Sequence, residues 1–342
     1  MNKSGLVLAV VAVALAAVAF AVFEGRDDAA GREPLVVYCA HDVIFSEEIL
    51  REFEQQTGIP VEPVFDTEAT KALGLVNRII QEQDRPRCDV FWNNQALGTM
   101  DLDDHGLLVP YKGPGYQRIP DRYKSSEGTW TGFGARLRVV IVNTDAMPAT
   151  DEAIDERMQG DLDRMAIAKP LYGTTRSHFT VLWHEMGPQR FQAWHEDLIE
   201  RGVQVVASNG ATKDVVAAGA CDFGWTDTDD YFVAKDNGEP VGMRPARVEG
   251  RTICIPNTVA IIRGTKRMKE AQRLVEFLLS KETELRMARS KSRQVPLGPV
   301  EPSELPEDVR PLHEWAQEGY DLSSLGESRG ECLEWLKAEY LK

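Results

Sequence analysis

Residues 35–65, LVVYCAHDVIFSEEILREFEQQTGIPVEPVF, contain a complete strand–helix–strand unit. Leu35 to Cys39 is a short apolar run of the kind that forms a buried strand. Ala40, His41 and Asp42 turn the chain into a helix, along which Phe45, Ile49 and Phe53 recur every four residues. Gly58 stops that helix, since glycine adopts the left-handed conformation that ends one. Ile59 to Phe65 then reads as the next strand, weakened by Pro60 and Pro63. A connection of this length between two strands implies a right-handed crossover and parallel pairing.

The same alternation continues outward. A helix is expected from about Glu68 to Gln83, with Ala72, Val76, Ile79 and Ile80 facing inward, and Cys88 to Trp92 is a third buried strand. Leu137 to Val142 is a strong strand after an irregular Pro- and Gly-rich stretch over Pro110–Trp130. A second α/β series starts near Arg164, with strands at Met165–Ala168, Val203–Ala207 and Cys221–Trp225. Arg251–Ile255 and Val259–Ile262 return the chain, interrupted by Pro256-Asn257. The fold expected is α/β in two lobes with mostly parallel sheets, hinged by strands near 138–142 and 253–262. Residues 34–139 with about 260–310 would form one lobe, and 140–259 with about 311–342 the other. A ligand cleft belongs between them, at the carboxyl ends of the strands.

The whole chain has 342 residues and a net charge of −15, which argues against a partner held mainly through nucleic-acid phosphates. Gly5 to Phe23 is an uncharged apolar run behind Lys3 and ahead of Glu24, Arg26, Asp27 and Asp28. Residues 1–30 therefore read as a signal peptide or an N-terminal membrane anchor with a linker, and either puts the rest outside the cytoplasm. The five cysteines lack Cys-x-x-Cys spacing and read as buried thiols, with room for one disulfide. Phosphate-loop, dinucleotide, zinc-protease and serine-hydrolase motifs are all missing, so an enzyme is not expected.

Four strand-end loops carry the polar chemistry. His41 and Asp42 follow the first strand; Asp42 either starts the helix as a cap or meets a ligand. Asn93, Asn94 and Gln95 follow the third and can donate or accept without charge. Gly173-Thr174-Thr175-Arg176 opens a helix whose free amides favour an anion. Asp227, Asp229, Asp230 and Tyr231 concentrate oxygen donors suited to a hard cation or to an organic ammonium.

Taken together, these segments resemble the periplasmic solute-binding components of ABC importers, specifically the ferric-iron-binding-like group. The opening strand with its His loop, "CDVFW", "RVVIVNT", "GTT" and "GACDFGWTD" carry the resemblance from Leu35 to about Gly298. It implies a type II-like binding-protein fold, no catalysis, a monomer, and delivery to an ABC permease in the inner membrane. It also implies Fe3+ with a synergistic anion as the transported ligand, and no cofactor. By that likeness the metal set is His41, Asp229, Asp230 and Tyr231, although amides stand at the acid station and aspartates at the tyrosine pair. A phosphonate, a phosphate ester or another small organic anion is the alternative solute. A hydrolase or a membrane-anchored sensor is the alternative class.

Overall fold

The computed structural model describes residues 33–66 and 73–341, so the apolar run at 5–23 and Ala72 lie outside the described residues. The opening unit folds as its sequence implies. β1 (Leu35–Cys39), α1 (Val43–Thr57) and β2 (Val61–Phe65) form a parallel crossover, with Leu35 beside Val61 and Cys39 beside Phe65. Leu35, Val37 and Cys39 join one core cluster, while Val36, Tyr38 and Ala40 face another, because alternate residues of a strand point to opposite faces. Gly58 ends α1 at φ 67° and returns its N–H to Glu54.

α2 (Leu73–Gln81) leads to β3 (Val90–Asn93), which pairs with β1 in parallel. α3 (Leu97–Asp104), β4 (Leu108–Val109) and α4 (Pro114–Arg118) then lead into β5 (Trp130–Asn143), fourteen buried residues long. The second series contains α5 (Asp151–Gln159), β6 (Met165–Ala168), α6 (Gly173–Met186), α7 (Pro188–Glu200), β7 (Gln204–Val206) and α8 (Asn209–Ala217). β8 (Phe223–Asp227), α9 (Thr228–Asp236) and β9 (Val241–Pro245) complete it. A small hairpin of β10 (Arg247–Val248) and β11 (Arg251–Thr252) precedes β12 (Cys254–Ile262).

β5 is the strand that both sheets share. Residues 130–137 pair with β12, and residues 138–143 pair with β8 and β9. The first sheet runs β2-β1-β3-β12-β5 and the second β5-β8-β6-β7, with β4 beside β12 and β9 beside β5. The crossovers on each side are parallel, but β5 and β12 run antiparallel to their neighbours, so the sheets are mixed rather than mostly parallel. The reason is geometric, since a strand crossing from one lobe to the other must come back in the reverse direction. Pro256-Asn257 does not break β12; the pairing with β5 shifts register there, where a missing N–H is tolerated.

α10 (Met268–Leu278) packs Ala271, Leu274, Val275 and Leu278 into the first core, and α11 (Lys281–Arg289) follows it. The tail divides between the lobes. Leu312 and Ala316 of α12 (Arg310–Gln317) join the first core, whereas Cys332 and Leu336 of α13 (Ser328–Tyr340) join the second. All five cysteines are free and buried. Among the described residues, no helix is long and apolar enough to cross a membrane.

Candidate functional site

The cleft lies where β5 passes between the sheets, with a volume of about 460 Å³. Asp42 and Asn94 line it from the first lobe; Lys169, Thr174, Thr175, Asn209, Asp229 and Asp230 line it from the second. Three helices, α6, α8 and α9, begin at this cleft, so their unpaired first amides point towards its contents. Gly173 starts α6 at φ 53°, a turn that a side chain would strain. Ser208 caps α8 by accepting from the Ala211 N–H at 3.1 Å.

Beneath the cleft is a buried ionic network. Arg138, fully buried on β5, donates from Nη1 to Asp227 at 2.8 Å, to Asn209 at 3.0 Å and to Thr174 at 3.4 Å. Thr174 donates to Asp227 at 2.5 Å, and the Asn209 amide donates to Asp227 at 3.0 Å and to Thr174 at 2.8 Å. One guanidinium thus ties together the starts of α6, α8 and α9. Arg136, two residues earlier on the same strand face, reaches Asp227 at 3.4 Å and Asp229 at 3.8 Å.

The three aspartates offer oxygen atoms that all lie within 4.8 Å of one another. Their environments differ. Burial works against the Asp227 charge, but Arg138, Arg136 and the Thr174 hydrogen bond outweigh it and hold the carboxyl below its ordinary range. Asp229 is pushed up to about 8 by burial, with Asp230, Asp227 and Asp42 adding to it and Arg136 opposing. Asp230 is pushed up to about 6 by burial and Asp227, against a 2.8 Å hydrogen bond from Thr226. Asp227 is therefore a counter-ion already committed, while Asp229 and Asp230 face the cleft short of positive charge.

The sequence-derived candidates separate on these grounds. Asn94, Thr174, Thr175, Asp227, Asp229 and Asp230 come together around the cleft. His41 is 3% exposed, stacks on Trp92 with ring centroids 5.5 Å apart, and does not line it. Asn93 donates to Thr99 at 3.1 Å inside the lobe. Arg176 is buried and turned to Asp101 of α3, at 3.1 Å, rather than to an anion in the cleft. Tyr231 packs edge-on against Phe232, outside the cleft lining. The metal set His41, Asp229, Asp230 and Tyr231 is thus not assembled at the cleft in this arrangement; only its two aspartates line it. Asp42 occupies the residue before α1 without a side-chain cap and lies in the cleft instead.

Arg136, Arg138, Lys169 and Asn209 escaped the sequence reading. The signal for the arginines was present: two charges at alternate positions of the apolar strand ARLRVVIV must be buried, and buried charges need partners.

Two lobes on a shared crossing strand, with a polar cleft between them, define a binding protein that holds a small solute. The chain belongs to the bacterial extracellular solute-binding protein family, which matches residues 48–309. Iron uptake protein A1 of Synechocystis is 21% identical over 277 residues, 76% of this chain and 74% of that protein. Iron-bound HitA from Pseudomonas aeruginosa is 20% identical with a TM-score of 0.76, over 90% of this chain and 99% of that one. AfuA from Actinobacillus pleuropneumoniae, with exogenous fructose-6-phosphate bound, is 18% identical with a TM-score of 0.71, over 90% and 98%. These structural likenesses carry the fold.

Proposed function

We propose that the protein is an extracytoplasmic receptor that captures ferric iron together with a small oxyanion and delivers it to an ABC permease in the inner membrane. The observation that carries this reading is the acidic group Asp227, Asp229 and Asp230, with two of its carboxylates open to a cleft walled by three helix starts. Asp229 and Asp230 would take the cation. Thr174, Thr175 and the first amides of α6 and α8 would take the anion, with Lys169 beside them. Iron uptake protein A1 and iron-bound HitA support the metal. Residues 34–139 with about 260–310 would move as one lobe and 140–259 with 311–342 as the other, with α12 riding on the first. The hinge is β5 at Leu137–Val139, where its partners change. Binding rather than catalysis is the role, and the receptor acts as a monomer.

A phosphonate or phosphate ester is the second reading, favoured by Lys169, whose cation lines the cleft together with Thr174 and Thr175. Thermal unfolding of the full chain in mild detergent, with ferric citrate, phosphate and aminophosphonates, separates the two. A ligand at 100 times its Kd adds about 2.7 kcal/mol to stability, an easily read shift. The iron reading fails if only the phosphorus compounds raise the transition.

A further inference from the structure

We propose that the cation is held by an all-oxygen set drawn from both lobes, Asp42 and Asn94 from the first and Asp229 and Asp230 from the second. The proposal rests on the receptor reading above and names the chemistry of the same cleft.

Asn94 is the observation that points to a ligand. It is the first residue after β3, lines the cleft, is only 2% exposed, and its Oδ1 has no hydrogen-bond partner among the described residues. Its neighbours do not line the cleft: the Asn93 amide donates to Thr99 at 3.1 Å although its Oδ1 is also unpaired, and Gln95 accepts from the Leu97 N–H at 2.6 Å. A buried acceptor left unpaired costs stability, and most such groups in folded proteins are satisfied. A cation in the cleft would satisfy this one.

Asp42 is the second lobe-1 oxygen. It stands at the start of α1, yet its carboxylate does not cap the helix and lines the cleft. Its charge acts on Asp229 of the facing wall, so the two lobes already meet electrostatically at this point. At the cleft the four carboxylates of Asp42, Asp227, Asp229 and Asp230 outnumber the three cationic side chains of Arg136, Arg138 and Lys169.

The donor chemistry follows from what lines the cleft. Carboxylate and amide oxygens select hard cations, whereas thiolates and imidazoles select softer ones. The cysteines are all buried, His41 is stacked on Trp92, and the Tyr231 phenol packs on Phe232. Ferric iron here would have no phenolate ligand and no phenolate-to-metal colour. A trivalent lanthanide, equally fond of oxygen, would occupy the same site.

The test is titration of the full chain, in mild detergent, with terbium chloride and with ferric citrate, followed by calorimetry and visible absorption. Terbium and iron are expected to compete for one site, and the iron form should lack a phenolate charge-transfer band. Asn94→Ala and Asp42→Asn should each weaken terbium binding at least tenfold, and Asn94→Asp should tighten it. His41→Gln and Tyr231→Phe should stay within twofold of wild type. A visible band that disappears in Tyr231→Phe would overturn the proposal, as would wild-type affinity in both Asn94→Ala and Asp42→Asn. If neither metal binds but a phosphate ester does, the cation set is overturned and the receptor reading survives; if no solute of either class binds, both fall.

Discussion

Replacing Arg138 by Met should be among the most damaging single changes in the second lobe. The side chain is fully buried and supplies Asp227 with its shortest ionic contact, 2.8 Å, while also holding Asn209 at 3.0 Å. Methionine fills much of the volume but leaves a buried carboxylate with Arg136 as its remaining cation, at 3.4 Å. Breaking a buried pair from one side costs about 3–5 kcal/mol, and the remaining Arg136 puts the expectation at the lower end, about 3 kcal/mol. Asp227→Asn should cost a similar amount by stranding Arg138. The double variant should cost less than the sum, with a coupling of about 2 kcal/mol, because neither charge is then left alone. Urea unfolding of the ligand-free protein, followed by circular dichroism, measures all three. The reasoning is refuted if Arg138→Met loses less than about 1 kcal/mol or if the two changes simply add.

Other outcomes follow from the same geometry. Asp229 has a folded-state pKa of about 8, raised above the ordinary aspartate value, so its contribution is fully present at acid pH and is lost as pH rises towards 8. The ligand-free melting temperature should therefore contain a component that falls between about pH 4 and pH 8, and Asp229→Asn should flatten it; an unchanged slope in the variant would contradict the assignment. Glu284, fully buried, accepts from the N–H groups of Gly134, Leu297 and Gly298 at 2.8–3.1 Å and from Arg118 at 2.6 Å. Glu284→Gln should destabilise by about 3 kcal/mol in urea unfolding, while solute affinity stays within about twofold. Arg176→Gln should lower stability through loss of the Asp101 pair and leave anion preference unchanged in a competition assay. Lys169→Met should do the reverse, weakening anion-bearing solutes with little effect on the melting temperature.

The strand–helix alternation was legible because its causes are local: apolar runs of strand length, four-residue spacing in α1, and Gly58 at its end. The length of β5 was not. Pro110–Trp130 reads as irregular and the strand as starting only at Leu137, yet β5 runs from Trp130, and Gly134 within it, at φ 39°, donates its N–H to Glu284, a residue 150 positions away. The site shows the same division. Thr174, Asp229 and Asp230 stand at strand–helix junctions, where topology alone brings them to the cleft. Arg176 lies in the same helix start as Thr174, but its direction around the helix sends it to α3. His41 and Asp42 are adjacent, and only the second lines the cleft. Chain position fixes which end of a lobe a residue occupies; side-chain direction depends on partners distant in sequence.

Equilibrium dialysis of the full chain against radioactive ferric citrate bears most directly on the central claim. The wild-type protein should retain one ferric ion per chain, and the Asp229→Asn/Asp230→Asn variant should retain none while remaining folded by circular dichroism. Retention of iron by that folded variant, or no iron bound by the wild type, would contradict the account.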